Sequence, residues 1–266
     1  MTEGQLALID SHCHLVELER RGVAPAAAVS EAGRAGVSQM VTGGDDLAES
    51  RAGMALAEEY AEVFFTVGWH PVNPRPPEAA ELAEMRRLLA HPKAVAVGEI
   101  GLDYLFRPGH LETAPEVQRE SFSRMLELAA EVAKPVVIHQ RQAQRDLLSV
   151  LDSGPPVTGI LHCFSGDARF AADAAARGLY CSFAGNVTFK SAHQLREAAR
   201  AVPAELLLVE TDAPFLAPDP HRGETCQPSM VRATAQWLAA LRGDCLESVA
   251  AITTENARRA LGIPVP

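Results

Sequence analysis

The chain has 266 residues, of which 47% are hydrophobic, and its mean hydropathy is close to zero. This composition is typical of a soluble globular protein with a sizeable core, and no apolar run approaches the roughly 20 residues that a membrane-spanning helix requires. The formal net charge of −10 argues against broad, sequence-independent coating of DNA, although bound cations can still capture a single phosphate locally.

The N-terminus and the cysteines indicate a cytoplasmic protein. Residues 1–5, with the sequence MTEGQ, lack the basic region and apolar stretch of a secretory signal. The five cysteines are scattered, odd in number and without a Cys-x-x-Cys pair, which is typical of reduced thiols rather than of a disulfide framework. We therefore expect a cytoplasmic location, no membrane association and no obligate protein partner.

Eight short apolar runs alternate with longer segments of helical periodicity. Near-continuous apolar runs are typical of strands that are covered on both faces, as in a parallel sheet. The runs comprise residues 7–12, 37–42, 63–68, 94–99, 135–139, 159–164, 179–183 and 206–212. The segments between them predict helices over residues 24–35, 46–60, 78–90, 142–152, 168–177, 191–201 and 228–241, with a last helix at 246–261.

The clearest helix start lies after the fourth run. Thr113 and Glu116 have the spacing of a capping box, Pro115 suits the first turn, and an apolar face continues to Ala133. Eight strand–helix units in one unbroken chain predict a single α/β domain over residues 1–266, folded as a (β/α)8 barrel. A doubly wound open sheet is the alternative that the pattern alone leaves open.

Residues that bind metals or protons lie at the ends of the predicted strands, where the active site of such a barrel is found. The segment IDSHCHL at residues 9–15 places His12 and His14 on one face of the first strand, because alternate residues of a strand share a face, and Cys13 on the other. Strands 3, 4, 5, 6 and 8 end in His70, Glu99, His139, His162 and Asp212.

This convergence predicts a metal site, although a single histidine at a strand end is more often a hydrogen-bonded structural residue. Four imidazoles and two carboxylates exceed the needs of one four-coordinate Zn²⁺ and suit two neighbouring divalent cations. Glu99 is the candidate bridge between them, since none of the three lysines ends a strand and a carbamylated lysine is therefore excluded. Zn, Mg and Mn all remain open as the native metal.

At these residues the sequence resembles the TatD family of metal-dependent hydrolases, and the resemblance covers nearly the whole chain. A His-x-His pair alone is a weak signal, but the ordered set of motifs is specific. The motifs are IDSHCHL (9–15), GWHP (68–71), VGEIGLDY (97–104), QRESF (118–122), VIHQR (137–141), HCFSG (162–166), ETDAPFL (210–216) and ENARRAL (255–261).

The resemblance implies an amidohydrolase-like TIM barrel with two divalent metal ions per chain. His12, His14 and Asp212 would hold one metal, His139 and His162 the other, and Glu99 would bridge them. Family members are commonly described as deoxyribonucleases that act on DNA ends, and some relatives are credited with deacylation of D-aminoacyl-tRNA. We therefore predict a 3′-end exonuclease that cleaves the phosphodiester bonds of single-stranded DNA with a metal-bound hydroxide.

Further roles follow from the family resemblance as hypotheses, each assigned to one matching position of this sequence. Asp212 accepts a proton from the attacking water and acts with Glu99 in catalysis. Glu210 supports the metal ligands or is only a hydrogen-bonded strand residue. Contact with substrate is expected from Arg141, for which a structural salt bridge is the alternative, and from His70, His221 and Arg222.

The residues around the expected mouth of the site leave the substrate open. Val72–Asn73, Gln142 and Cys226–Gln227 depart from the family pattern, and we expect them to line the mouth. Aromatic residues make up 5% of the chain, and those best placed to stack bases are Trp69, Tyr104 and Phe215. The alternatives are an amidohydrolase-like or aminoacyl-ester hydrolase with a carbonyl substrate, and a non-catalytic metal-binding protein.

Overall fold

The computed structural model describes residues 6–106 and 112–265, so the prediction made for residues 1–5 lies outside it. Eight strands pair in parallel and in strict chain order from β1 to β8. They are Leu8–Cys13 (β1), Val37–Thr42 (β2), Val63–Val67 (β3), Ala94–Asp103 (β4), Val136–Arg141 (β5), Gly159–Leu161 (β6), Tyr180–Phe183 (β7) and Leu207–Val209 (β8).

Helices connect consecutive strands and cover the outside of the sheet, which confirms the predicted (β/α)8 barrel. Most begin and end within a few residues of the predicted bounds, but the first helix was not predicted. The helices are Leu15–Arg20 (α1), Pro25–Arg34 (α2), Leu47–Glu59 (α3), Ala79–Leu89 (α4), Pro115–Glu131 (α5), Gln144–Ser153 (α6), Ala168–Ala175 (α7), His193–Ala201 (α8), Val231–Arg242 (α9) and Leu246–Leu261 (α10).

Side chains of β1 tie the first strand to the last and close the barrel. The Asp10 carboxylate accepts hydrogen bonds from the backbone nitrogen and the hydroxyl of Thr211, at 2.8 and 2.5 Å. The Ser11 hydroxyl donates to the Val209 carbonyl at 3.0 Å. Because all these groups are buried, their mutual pairing satisfies polar atoms that water cannot reach.

The sheet separates two apolar cores. The larger core packs the helices against the outside of the sheet, with Phe65, Phe122 and Phe183 among its largest buried side chains. The smaller core fills the barrel interior with strand residues such as Ile9, and the end of α10 contributes Leu261 to it. Because apolar side chains fill this part of the barrel, the buried polar residues of the strands collect at the opposite, carboxyl end.

Two local predictions are wrong. The fourth strand does not end at Glu99 but continues to Asp103, so that Glu99 lies within the strand. Thr113 does not cap α5: the hydroxyl donates instead to the carbonyls of Val72 and Asn73, at 3.2 and 3.3 Å, and the helix begins without a side-chain cap. The capping-box pattern failed because a tertiary partner competes for the same hydroxyl.

Two further findings concern the helices and the cysteines of the described residues. No helix among them is long and apolar enough to span a bilayer. The five cysteines are all unpaired, and Cys13, Cys181 and Cys226 are buried. These thiols therefore pack as small apolar side chains, as the scattered spacing suggested.

Replacing Asp10 with alanine is expected to lower the free energy of unfolding by on the order of 3 kcal/mol, because two buried donors of Thr211 lose their acceptor. Asp10→Asn retains an acceptor for the backbone nitrogen and is expected to lose less than half as much. Urea unfolding of the two variants measures both losses. Equal losses would show that the hydrogen bonds do not hold the first and last strands together.

Candidate metal centre

The Glu99 carboxylate lies at the centre of the carboxyl end of the barrel, and its two oxygens face two different sets of imidazoles. Oε1 lies 2.6 Å from His139 Nδ1 and 2.7 Å from His162 Nε2. Oε2 lies 3.4 Å from His12 Nε2 and 3.7 Å from His14 Nε2. The Glu99 side chain is only 3% exposed, so this carboxylate is shielded from bulk water.

The β1 side of the cluster combines two imidazoles with a carboxylate. The Nε2 atoms of His12 and His14 lie 3.1 Å apart, and Asp212 Oδ1 lies 3.5 Å from His14 Nε2. The backbone of Asp212 is held by a 3.0 Å hydrogen bond from its nitrogen to the His12 carbonyl. Its φ of +55° is left-handed, a conformation that aspartate tolerates better than most residues.

The β5 side contains a third imidazole that was expected to contact only substrate. His70 Nε2 lies 3.4 Å from Glu99 Oε1, and its ring is 4.7 Å from the ring of His139. The structure therefore places His70 within the cluster, beside His139 and His162. Its other ring nitrogen accepts a hydrogen bond from the Val72 backbone at 3.1 Å, which holds the ring in this orientation.

Two further carboxylates orient the imidazoles on this side. Asp103 Oδ2 lies 3.1 Å from His139 Nε2, the nitrogen that points away from Glu99. Glu210 is fully buried, accepts from the Cys163 nitrogen at 2.7 Å and lies 3.4 Å from His162 Nδ1. Carboxylates behind ligating histidines set the ring orientation and raise ligand basicity. The geometry is consistent with the supporting role expected of Glu210.

Sequence reasoning missed Asp45 and Asp103. Asp45 follows β2, and its Oδ1 lies 3.9 Å from His14 Nδ1. The acidic pair at 45–46, directly after an apolar run, was a signal for Asp45. Asp103 was hidden because Glu99 was taken as the end of its strand, although alternate residues continue the same run through Gly101.

Close backbone approach around the cluster requires glycine at two positions. A Cβ at Gly43 would lie 2.8 Å from His12 Cε1 and 3.1 Å from His14 Cε1. A Cβ at Gly68 would lie 2.2 Å from the Glu99 nitrogen. Gly43 directly follows β2, and Gly68 directly follows β3. Because glycine has no side chain, the ends of these two strands can pack directly against the cluster.

The carboxylates and imidazoles of the cluster shift one another's pKa values. Burial opposes ionisation of Glu99, but His162 and His70 lower the pKa of Glu99 well below its usual range. Burial likewise opposes ionisation of Asp212, whose pKa is lowered by His14. In the same way burial disfavours protonated His14, yet Asp45, Asp212 and Glu99 raise the pKa of His14 to about 10.

The donor set fits two neighbouring divalent cations. Four groups of side chains each bring ligand atoms within 4.8 Å of one another: His12–His14–Glu99, His12–His162–Asp212, His70–Glu99–His139 and His14–Asp45–Glu49. Imidazole nitrogens and carboxylate oxygens are ligands of Zn²⁺, Mn²⁺ and related ions. Glu99 belongs to two of the groups, and its two oxygens face opposite sets, as a carboxylate between two cations requires.

The residues expected to contact substrate lie at different depths. Arg141 is 42% exposed at the rim, and its guanidinium is 3.8 Å from the Asp103 carboxylate. Arg222 stacks 3.5 Å above the centroid of the Phe189 ring. His221 lies away from the cluster, with Nδ1 3.3 Å from Glu224, and lines a separate cleft with residues of α2 and α9.

Several residues expected at the mouth have structural roles instead. Trp69 is buried and donates its indole N–H to the Arg75 carbonyl at 2.8 Å, so it has no free face for a base. Cys226 is fully buried under the loop after β8. The Asn73 amide donates to the carbonyls of Asp45 and His70, both at 2.9 Å. Of the departures from the family pattern, Gln142 and Val72 are exposed.

Comparison with known proteins identifies the family. The model of the family described as "TatD related DNase" matches residues 9–262. The chain belongs to the TatD family. A Mycobacterium tuberculosis protein named "Uncharacterized metal-dependent hydrolase TatD" is 44% identical over 260 residues, which cover 96% of this chain and 98% of that protein. The chain is accordingly a metal-dependent hydrolase.

Two other relatives extend this comparison. A protein of Erwinia amylovora named "3'-5' ssDNA/RNA exonuclease TatD" is 34% identical over 243 residues, covering 88% of this chain and 92% of that protein. The crystal structure of YjjV, a TatD homologue from Escherichia coli, superimposes with a TM-score of 0.85 at 26% identity. That superposition covers 97% of this chain and 98% of that one, so the family resemblance extends over the whole barrel.

Replacing Glu99 with glutamine is expected to reduce bound metal from two ions per chain to one or fewer, because one anionic oxygen can no longer serve each set of imidazoles. Metal content after zinc loading and dialysis, measured by elemental mass spectrometry, checks this. The exposed Glu205→Gln is the matched control and is expected to keep the full metal content. Two ions per chain in Glu99→Gln would contradict a bridging role.

Metal affinity is expected to rise with pH. The raised pKa of His14, about 10, keeps the metal-free imidazole protonated at neutral pH, so a bound cation must displace that proton. Each displaced proton makes the apparent affinity increase about ten-fold per pH unit below that pKa. Competition with a chelator between pH 6 and 9 measures the slope. A pH-independent affinity, or an unchanged slope in His14→Asn, would rule out this coupling.

Proposed function

We propose that the protein is a two-metal exonuclease that removes nucleotides from the 3′ ends of single-stranded DNA. The observation that carries the proposal is the Glu99 carboxylate, whose oxygens face two separate sets of nitrogen ligands. A pair of divalent cations at this position would activate water and offset the charge that develops on a phosphodiester during cleavage. The Erwinia relative supports the choice of a nucleic-acid substrate by its name.

Within this proposal, His12, His14 and Asp212 hold one cation, and His139 and His162 hold the other. Asp212 also accepts the proton of the attacking water. Histidines around it lower its pKa, so the carboxylate is ionised at neutral pH. The Asp212 side chain is 13% exposed, whereas that of Glu99 is 3% exposed, which suits contact of Asp212 with substrate.

The rim offers contacts that suit a nucleic-acid end. Phe215 is 41% exposed, and its ring lies 6.1 Å from the ring of His14. The Arg21 guanidinium lies 4.6 Å from the centroid of the Phe215 ring. An exposed aromatic ring beside a cation can stack a base while the guanidinium meets a phosphate. The carbonyl substrate considered as an alternative gains no specific support from the described mouth residues.

Replacing Asp212 with asparagine is expected to reduce the kcat of this exonuclease activity about 100-fold or more. General base catalysis typically contributes a factor of that size. Single-stranded DNA labelled at the 3′ or the 5′ end, incubated with metal-loaded protein, reports both the rate and the direction. Stepwise shortening from the 3′ end is the expected result, abolished by EDTA.

Asp244→Asn, at an exposed position after α9, is the charge-matched control and is expected to cleave at the wild-type rate. Intact DNA in the presence of two bound metals per chain would refute the nuclease proposal. Wild-type turnover in Asp212→Asn would refute the role of Asp212 alone.

A further inference from the structure

A cleft of about 820 Å³ lies beside the metal centre, between the loops that follow β5, β6 and β7. Its volume falls within the range of roughly 300–1,000 Å³ that is usual for small-molecule sites. The lining residues that matter below are Arg141, Gln144, Ser165, Asn186, Phe189 and His193. The cleft is separate from the Glu99 cluster, whose ligands do not line it.

Two side chains connect the cleft to the metal centre. Arg141 lines the cleft and follows His139 by two residues, and both approach the same carboxylate oxygen, Asp103 Oδ2, at 3.8 and 3.1 Å. On the other wall, the Asn186 amide nitrogen lies 3.9 Å from the sulfur of Cys163, the residue after His162. Arg141 and Asn186 therefore place one end of the cleft beside His139 and His162.

The Asn186 carbonyl oxygen is buried and has no hydrogen-bond partner within residues 6–106 and 112–265. A buried acceptor without a donor costs on the order of 1–3 kcal/mol, so such an atom calls for an explanation in a folded protein. The atom belongs to a residue that lines the cleft, and a ligand with an N–H or O–H group would satisfy it.

The chemistry of the lining is polar but almost uncharged, in contrast to the net charge of −10 of the chain. Arg141 is a cation, and Asp167 is a carboxylate that already accepts a hydrogen bond from the Phe170 nitrogen at the start of α7. The rest of the lining comprises amides and hydroxyls together with the apolar side chains of Leu105, Ala192 and Leu195. Phe189 adds an aromatic side chain to the lining, and Arg222 stacks on its ring, 3.5 Å from the centroid.

We propose that this cleft binds the nucleoside next to the scissile phosphate. Asn186 accepts a hydrogen bond from an N–H or O–H of that nucleoside, and Arg141 meets the phosphate at the end nearest the metals. The inference rests on the proposed nuclease function and adds a recognition site for the sugar and base.

Calorimetric titration of the zinc-loaded protein with 2′-deoxycytidine 5′-monophosphate and with methyl phosphate tests the cleft directly. Methyl phosphate has the phosphate group without a nucleoside. We expect the wild type to bind the nucleotide at least ten-fold more tightly than methyl phosphate. Asn186→Ala should weaken nucleotide binding about ten-fold and should weaken methyl phosphate binding much less.

His193→Ala provides a second variant, because this exposed side chain lines the same cleft and its truncation does not threaten folding. It is expected to weaken nucleotide binding several-fold. Gln236→Ala, an exposed amide on α9 outside this cleft, is the control and is expected to bind both ligands as the wild type does.

The outcomes separate the cleft from the nuclease proposal. Equal affinity of the wild type for the two ligands would overturn the cleft proposal, as would equal weakening of both ligands in Asn186→Ala. Unchanged nucleotide binding in both cleft variants would overturn it as well, even if DNA is hydrolysed. Selective loss of nucleotide binding without any cleavage of DNA would support the cleft and refute the nuclease function.

Discussion

The buried Glu99 carboxylate is the interaction on which the functional end of this barrel depends. An ionised carboxylate that is almost inaccessible to water is costly unless cationic or hydrogen-bonding groups surround it. Here imidazoles from β1, β5, β6 and the end of β3 supply those groups. Against the effect of burial, Glu99 and the neighbouring carboxylates raise the pKa of His14, His139 and His162, so the cluster is one electrostatic unit rather than a set of independent residues.

The geometry of the barrel brings the residues of this cluster together. Parallel strands in chain order bring their carboxyl ends into one ring, and the hydrogen bonds between Asp10 and Thr211 join the last strand to the first. Glycines at the ends of β2 and β3 allow the backbone to approach the imidazoles closely. The smaller apolar core fills the other end of the barrel. The residues that stabilise the barrel interior and the residues of the candidate site therefore lie at opposite ends of the same strands.

The proposed substrate, DNA, is a polyanion, and this chain is itself acidic. Attraction of the substrate must therefore come from a small part of the protein surface. The net charge of −10 disfavours extended contact with DNA, whereas two cations and a few rim arginines can hold a single phosphate. Arg21 and Phe215 lie on the β8 side of the rim, and Arg141 lies on the β5 side. This distribution favours engagement of a chain end over a long footprint, in keeping with the proposed exonuclease function rather than with general DNA binding.

The sequence by itself determined the barrel, the family and the residue types that meet at the metal centre, because strand periodicity and the rule that active sites lie at strand ends are local properties. Only the tertiary structure decided how the loops place their side chains. It brought Asp45, Asp103 and His70 beside the ligands, buried Trp69 and turned His221 towards Glu224. It also paired the Thr113 hydroxyl with carbonyls about 40 residues away. Sequence spacing states where a residue lies along its element, but contacts between loops depend on long-range packing that no local pattern records.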